Sequence, residues 1–128
     1  MRARHNRRVD IWPEHDRWTA IEGEHGYIRA RLWLLSTEDG GRKGPIASGY
    51  RSCWAFPPEV HDEMHDAPLT LESGVGEWLA PGAEAIVRLH PLAPDLWPPI
   101  TPGIRLTMVE GARVVGMADV LEAVPPAI

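Results

Sequence analysis

From Tyr27 to Leu35 the chain alternates with a period of two. Ile28, Ala30, Leu32 and Leu34 fall on one side, and Arg29, Arg31, Trp33 and Leu35 on the other. Successive side chains of an extended backbone point to opposite faces, so this spacing predicts a strand with one face buried. Shorter runs of the same kind follow. One spans Ala47 to Phe56 and is stopped by Pro57-Pro58, one covers Leu69 to Glu72, and one covers Ala85 to Leu89. Two more, Ile104 to Glu110 and Arg113 to Ala123, flank Gly111-Ala112 as a hairpin. Leu32, Leu34, Leu89 and Leu106 are the expected inward-facing residues.

The stretches between these runs are rich in turn formers. Residues 36–45 carry three glycines and a proline, and Pro81-Gly82 is a turn dipeptide. Residues 90–103 hold five prolines and a glycine, which predicts a rigid loop. Residues 59–68 read as an acidic connection bearing histidines. No amphipathic helix stands out. Six strands with turns between them and no helix to cover their edges imply an all-β chain, a six-stranded antiparallel β-barrel closed on itself. The division expected is a basic and polar N-terminal arm over residues 1–26, the barrel over 27–124, and a short tail over 125–128. The arm is read as extended.

Composition narrows the function. The chain has 128 residues with one cysteine, so no internal disulfide framework exists, and a cytoplasmic location is expected. No apolar run reaches the roughly 18 residues of a membrane span. The net charge is −5, but Arg2, Arg4, Arg7 and Arg8 all lie in the first eight positions, where no acidic residue occurs. The rest of the chain is therefore strongly acidic, and an acidic body repels phosphates at long range.

Three separated blocks resemble a known family. They are Leu34-Leu-Ser-Thr-Glu-Asp-Gly-Gly-Arg-Lys-Gly-Pro-Ile-Ala-Ser-Gly-Tyr-Arg51, then Leu79-Ala-Pro-Gly82, then Ile104-Arg-Leu-Thr-Met-Val-Glu-Gly-Ala-Arg-Val-Val-Gly116. Together they resemble, in order, the C-terminal domain of elongation factor Tu, here read as a stand-alone counterpart. The resemblance implies a six-stranded barrel. In the full factor that domain binds the T-stem side of aminoacyl-tRNA, contacts the exchange factor and docks on the GTPase domain. Arg42 and Arg51 match the motif, whereas Lys43-Gly44 and Ser52-Cys53 stand where the family has His-Thr and Pro-Gln, and Val109 replaces an arginine. No Gly-x4-Gly-Lys-Ser/Thr loop occurs in the 128 residues, so no GTP binding or hydrolysis is expected of this chain alone.

The expected function is a non-catalytic binding module without a cofactor. Its partner is an unidentified protein, with tRNA or a translation factor as the alternative. The residues assigned to partner or RNA contact are Arg42, Lys43, Arg51, Arg113 and Trp97. Arg42 and Lys43 sit on a glycine-rich tip where cations can reach phosphates. His61 and His65 would ligate zinc if their segment were helical, with Glu63 or Asp66 as a third ligand and a metal-dependent enzyme as the corresponding function. The reading preferred is a solvated acidic loop with no metal. Cys53, between Ser52 and Trp54, is read as a packing residue.

Overall fold

A computed structural model describes residues 17–72 and 76–127. Eight strands occur among them: β1 (Tyr27–Leu34), β2 (Ile46–Ala47), β3 (Arg51–Ala55), β4 (His65–Leu71), β5 (Trp78–Leu79), β6 (Glu84–Leu89), β7 (Arg105–Glu110) and β8 (Arg113–Val124). Six of them close a barrel in the order β1-β6-β4-β3-β7-β8, every pairing antiparallel, and β2 pairs with β5 in a separate two-stranded sheet. The fold is all-β, as the alternation predicts.

Closure depends on β8, which runs twelve residues and borders both β1 and β7. Its register slips once against β7, between Met108 and Val109, and once against β1, between Arg29 and Ala30. Each slip is a bulge that bends the strand and adds twist, as a small barrel requires. Near the first of these, Val115 and Gly116 are both buried, a local break in the inside-outside alternation. Leu32, Leu34, Leu89 and Leu106 are all buried in the barrel core with Trp54, Leu69, Val87 and Met108. Trp54 is fully buried and donates its indole N–H to the Ala67 carbonyl at 3.1 Å.

Four sequence expectations need correction. The run from Ala47 to Phe56 is two strands, because the turn at Ser48-Gly49, with Gly49 at φ 94°, separates β2 from β3. The strand expected at Leu69 begins four residues earlier, since His65 and Asp66 pair with Trp54 and Cys53 of β3. The loop 90–103 contains one turn of 3-10 helix at Pro94–Leu96. Finally, the arm expected to be extended is helical over residues 17–25 (α1), while residues 1–16 lie outside the described residues.

The signal for α1 was present but short. Trp18, Ile21 and Glu22 are half-buried on one side, and Arg17, Thr19, Ala20, Glu24 and His25 are exposed. That is a single helical stripe, easily lost in a polar stretch. Gly26 stops the helix: its N–H bonds to the Glu22 carbonyl at 2.8 Å and its φ is +75°, the left-handed conformation of a helix C-terminal glycine. A Cβ there would lie 2.2 Å from the Val124 carbonyl oxygen, so the site admits only glycine for two independent reasons. Ala127 in turn donates to the Gly23 carbonyl at 2.9 Å, tying the end of the chain to α1.

Candidate functional site

The blocks that carry the family resemblance meet at one end of the barrel. The turn after β1 brings Arg42 to β7, where its guanidinium pairs with Glu110 and donates to the Tyr50 hydroxyl at 3.1 Å. Tyr50 donates its own proton to Glu110. Arg42 also donates through Nε to the Gly44 carbonyl at 3.2 Å and lies over the Tyr50 ring at 4.8 Å. Burial pushes the Tyr50 hydroxyl above its ordinary pKa, with Arg42 opposing, so the phenol stays a donor to Glu110. One carboxylate thus fastens the glycine-rich turn to the β7–β8 hairpin through two partners. Charge-assisted bonds of this kind contribute about 1.5–3 kcal/mol each.

Arg42 therefore points at a carboxylate of its own chain, and that carboxylate is Glu110 rather than Glu38 or Asp39 of its own turn. Arg113, although opposite Glu110 in the β7–β8 register, does not close that hairpin electrostatically. Arg113 and Lys43 are exposed, and neither forms an ion pair among the described residues. The neighbouring arginines are engaged: Arg31 with Glu84, and Arg105 with Asp119 and over the Trp33 ring at 4.8 Å.

Arg51 stands on β3 and reaches Asp66 of β4 at 3.3 Å, across an exposed pair of strands. It lines a shallow depression with Met64, His65, Asp66, Leu92 and Ala93. Met64 and Leu92 are 51% and 52% exposed there, high for large apolar side chains. Trp97 is turned inward. It packs edge-on against Phe56 at 5.0 Å, and its buried indole N–H has no hydrogen-bond partner among the described residues. Trp18 of α1 is also folded in, its ring tilted against His90 at 4.5 Å. Trp78 of β5, by contrast, is 61% exposed.

His61 and His65 come together without a helix. The turn after Phe56 returns the chain so that His61 Nε2 and His65 Nε2 face each other at 2.9 Å, with Glu63 between them in sequence. Cys53 is half-buried on β3, and burial, with the neighbouring Asp66 charge second, holds its thiol above the ordinary range. A thiol kept protonated is a poor nucleophile.

A further polar cluster had no sequence motif to announce it. Glu72 accepts from Arg29 at 2.8 Å and from Arg88 at 3.1 Å, and Arg88 also donates to Glu22 of α1 at 2.8 Å. The bond from Arg29 does most to hold the Glu72 carboxyl below its usual range. His90 lies beneath α1, almost wholly buried, with Nε2 against the Thr70 hydroxyl at 3.0 Å. The bonded pairs are 16 to 66 positions apart in sequence, so only the barrel closure joins them.

The fold and its polar end define a small closed β-barrel of the translation-factor type. The chain is similar to elongation factor Tu 2 of Streptomyces avermitilis, 32% identical over 91 residues, which is 71% of this chain and 21% of that protein. Spanning about a fifth of the relative's length, it corresponds to one domain, and the closed six-stranded barrel matches the C-terminal one. No protein-family model matches the chain. Among the described residues, no helix is long and apolar enough to cross a membrane.

Proposed function

We propose that this chain is a non-catalytic binding barrel whose partner is a protein of the translation apparatus. The observation that carries the reading is the state of its motif arginines. Arg42 is bound by Glu110 and Tyr50, and Arg51 by Asp66, so each would have to give up an internal carboxylate before meeting a phosphate. The net charge of −5 adds a long-range penalty against nucleic acid. The depression beside Arg51 instead offers exposed Met64 and Leu92 within a polar rim, the composition of a protein-binding patch. Trp97 leans at 6.4 Å on His65, which lines that depression.

The alternative, a translation-associated RNA-binding domain, has one specific observation in its favour. Lys43 and Arg113 are exposed cations without ion-pair partners among the described residues. Titration of labelled aminoacyl-tRNA, followed by anisotropy over a salt series, separates the two. The protein-binding reading expects affinity no better than the roughly 10⁻⁴–10⁻⁶ M of non-specific binding at physiological salt. Nanomolar affinity, lost in Lys43→Ala or Arg42→Ala with the salt slope reduced by about one per residue, would establish the RNA reading instead. Either reading expects no saturable, magnesium-dependent GTP binding by calorimetry.

A further inference from the structure

We infer that His61, Glu63 and His65 form a binding site for a divalent transition-metal ion, with Zn²⁺ the ion their chemistry suits best. The ligand atoms of the three side chains all lie within 4.8 Å of one another. The two imidazole Nε2 atoms are already 2.9 Å apart. Nitrogens each about 2.0–2.1 Å from one zinc ion are separated by about 2.9 Å at a right angle and about 3.3 Å at a tetrahedral one, so the separation of the pair already suits a shared ion once the rings tilt toward it. In the apo protein one imidazole must donate a proton to the other across this gap; a metal ion takes the place of that proton and binds both lone pairs. The Glu63 carboxylate is exposed and on a turn, free to swing in as the third ligand.

The rings are held, which distinguishes this group from a chance meeting of surface side chains. Phe56, itself buried, stands edge-on to His61 at 5.3 Å and to His65 at 5.9 Å, and Trp97 leans on His65 at 6.4 Å. His65 is anchored by pairing with Trp54 in the β3–β4 ladder, while His61 is placed by its N–H bond to the Pro57 carbonyl at 3.1 Å. One ligand thus comes from the sheet and two from the 57–64 turn, so an ion would clamp that turn to β4. Two nitrogens and one carboxylate favour Zn²⁺ over the oxygen-seeking Mg²⁺ and Ca²⁺. Three protein ligands leave a fourth position for water on the open side.

The test is calorimetric titration of ZnCl₂ into the full, tag-free chain after chelator treatment, with MgCl₂ as the control. The expected result is saturable 1:1 binding of zinc with none of magnesium, and a melting temperature that rises with zinc concentration. His61→Ala, a turn substitution monitored by circular dichroism for intact folding, is expected to lower affinity by at least the roughly 10–100-fold seen when even a supporting partner of a metal ligand is removed. Glu63→Gln should weaken binding less. In NMR spectra, the ring signals of His61 and His65 should shift together and saturate at one equivalent. No saturable binding in the wild-type chain overturns the proposal. Unchanged affinity in His61→Ala also overturns it, by placing the ion elsewhere on the chain.

Discussion

Acidification from pH 7 to pH 4 is expected to cost the fold about 3 kcal/mol through one side chain, His90. Burial beneath α1, with the Arg88 charge second, pushes this imidazole down to about 4 from its ordinary 6.5. Between those two values the unfolded chain binds a proton that the folded chain does not, so stability falls as pH falls and levels off below the lower value. A displacement of about 2.5 units at 1.36 kcal/mol each gives about 3 kcal/mol, a large share of the 5–15 kcal/mol typical of a domain. Glu22 stands 3.8 Å from His90 Nδ1 and would act the other way, stabilising the protonated ring. Its other oxygen, Oε1, is bonded by Arg88 at 2.8 Å, and that guanidinium offsets the carboxylate charge and repels a second positive one. Burial and Arg88 therefore win.

The assay is urea unfolding of the wild type and His90→Gln at half-unit steps from pH 7.5 to 4.5. Glutamine keeps a polar group near the Thr70 hydroxyl but cannot titrate, and the loss of the Trp18 stack lowers its stability by a constant amount. The quantity to read is the difference between the two curves. It should shrink as pH falls, by up to about 1.4 kcal/mol per unit within the window. Glu72, whose carboxyl is depressed, contributes stability that is lost only as pH falls below the ordinary carboxylate value near 4.5 toward its lower folded one, and it does so equally in both proteins. Parallel curves between pH 7 and 5 would refute the reasoning. A difference that grows on acidification would show that Glu22 holds the proton after all.

Other substitutions probe the frame. Gly26→Ala should destabilise by well over the roughly 1–2 kcal/mol of a left-handed residue, because its Cβ also meets the Val124 carbonyl. Gly111→Ala, at φ 61° with open space around it, should show only the conformational part in the same thermal melts. Trp54→Ala should cost about 3–5 kcal/mol by chemical denaturation, as expected for a fully buried aromatic residue. Glu110→Gln should cost about 1–3 kcal/mol and, by releasing Arg42, raise non-specific RNA affinity in the anisotropy assay.

The barrel was legible because period-two alternation is local. Ile28 to Leu34 declare their buried face within eight residues, and the core leucines follow from the pattern alone. The errors came where a short element had too few residues to establish a period. Helix α1 shows only Trp18, Ile21 and Glu22 on its half-buried face among the described residues, and β2 and β5 are two residues each. The start of β4 was hidden because His65 and Asp66 look like loop residues. Their place in a strand is set by pairing with Trp54 and Cys53, which no local pattern encodes.

The candidate sites were legible only as residue types, because what an arginine or a histidine does is decided by its partner. Arg42 and Arg51 sit in motif positions that suggest phosphate contact, yet the barrel delivers Glu110 to the first and Asp66 to the second. The residues that stand out in the resemblance then have a structural use: Arg42 and Tyr50 of the first block and Glu110 of the third fasten those two blocks together at one end of the barrel. His61 and His65 run the opposite way. Helical spacing was the condition set for a metal there, and the segment is not helical. The turn nevertheless closes the two rings to 2.9 Å against a wall of Phe56 and Trp97, two side chains 41 positions apart in the chain. Motif spacing therefore left out the partners of the arginines and of the histidines, for the same reason: neither Glu110 nor Trp97 can be placed until the barrel is closed.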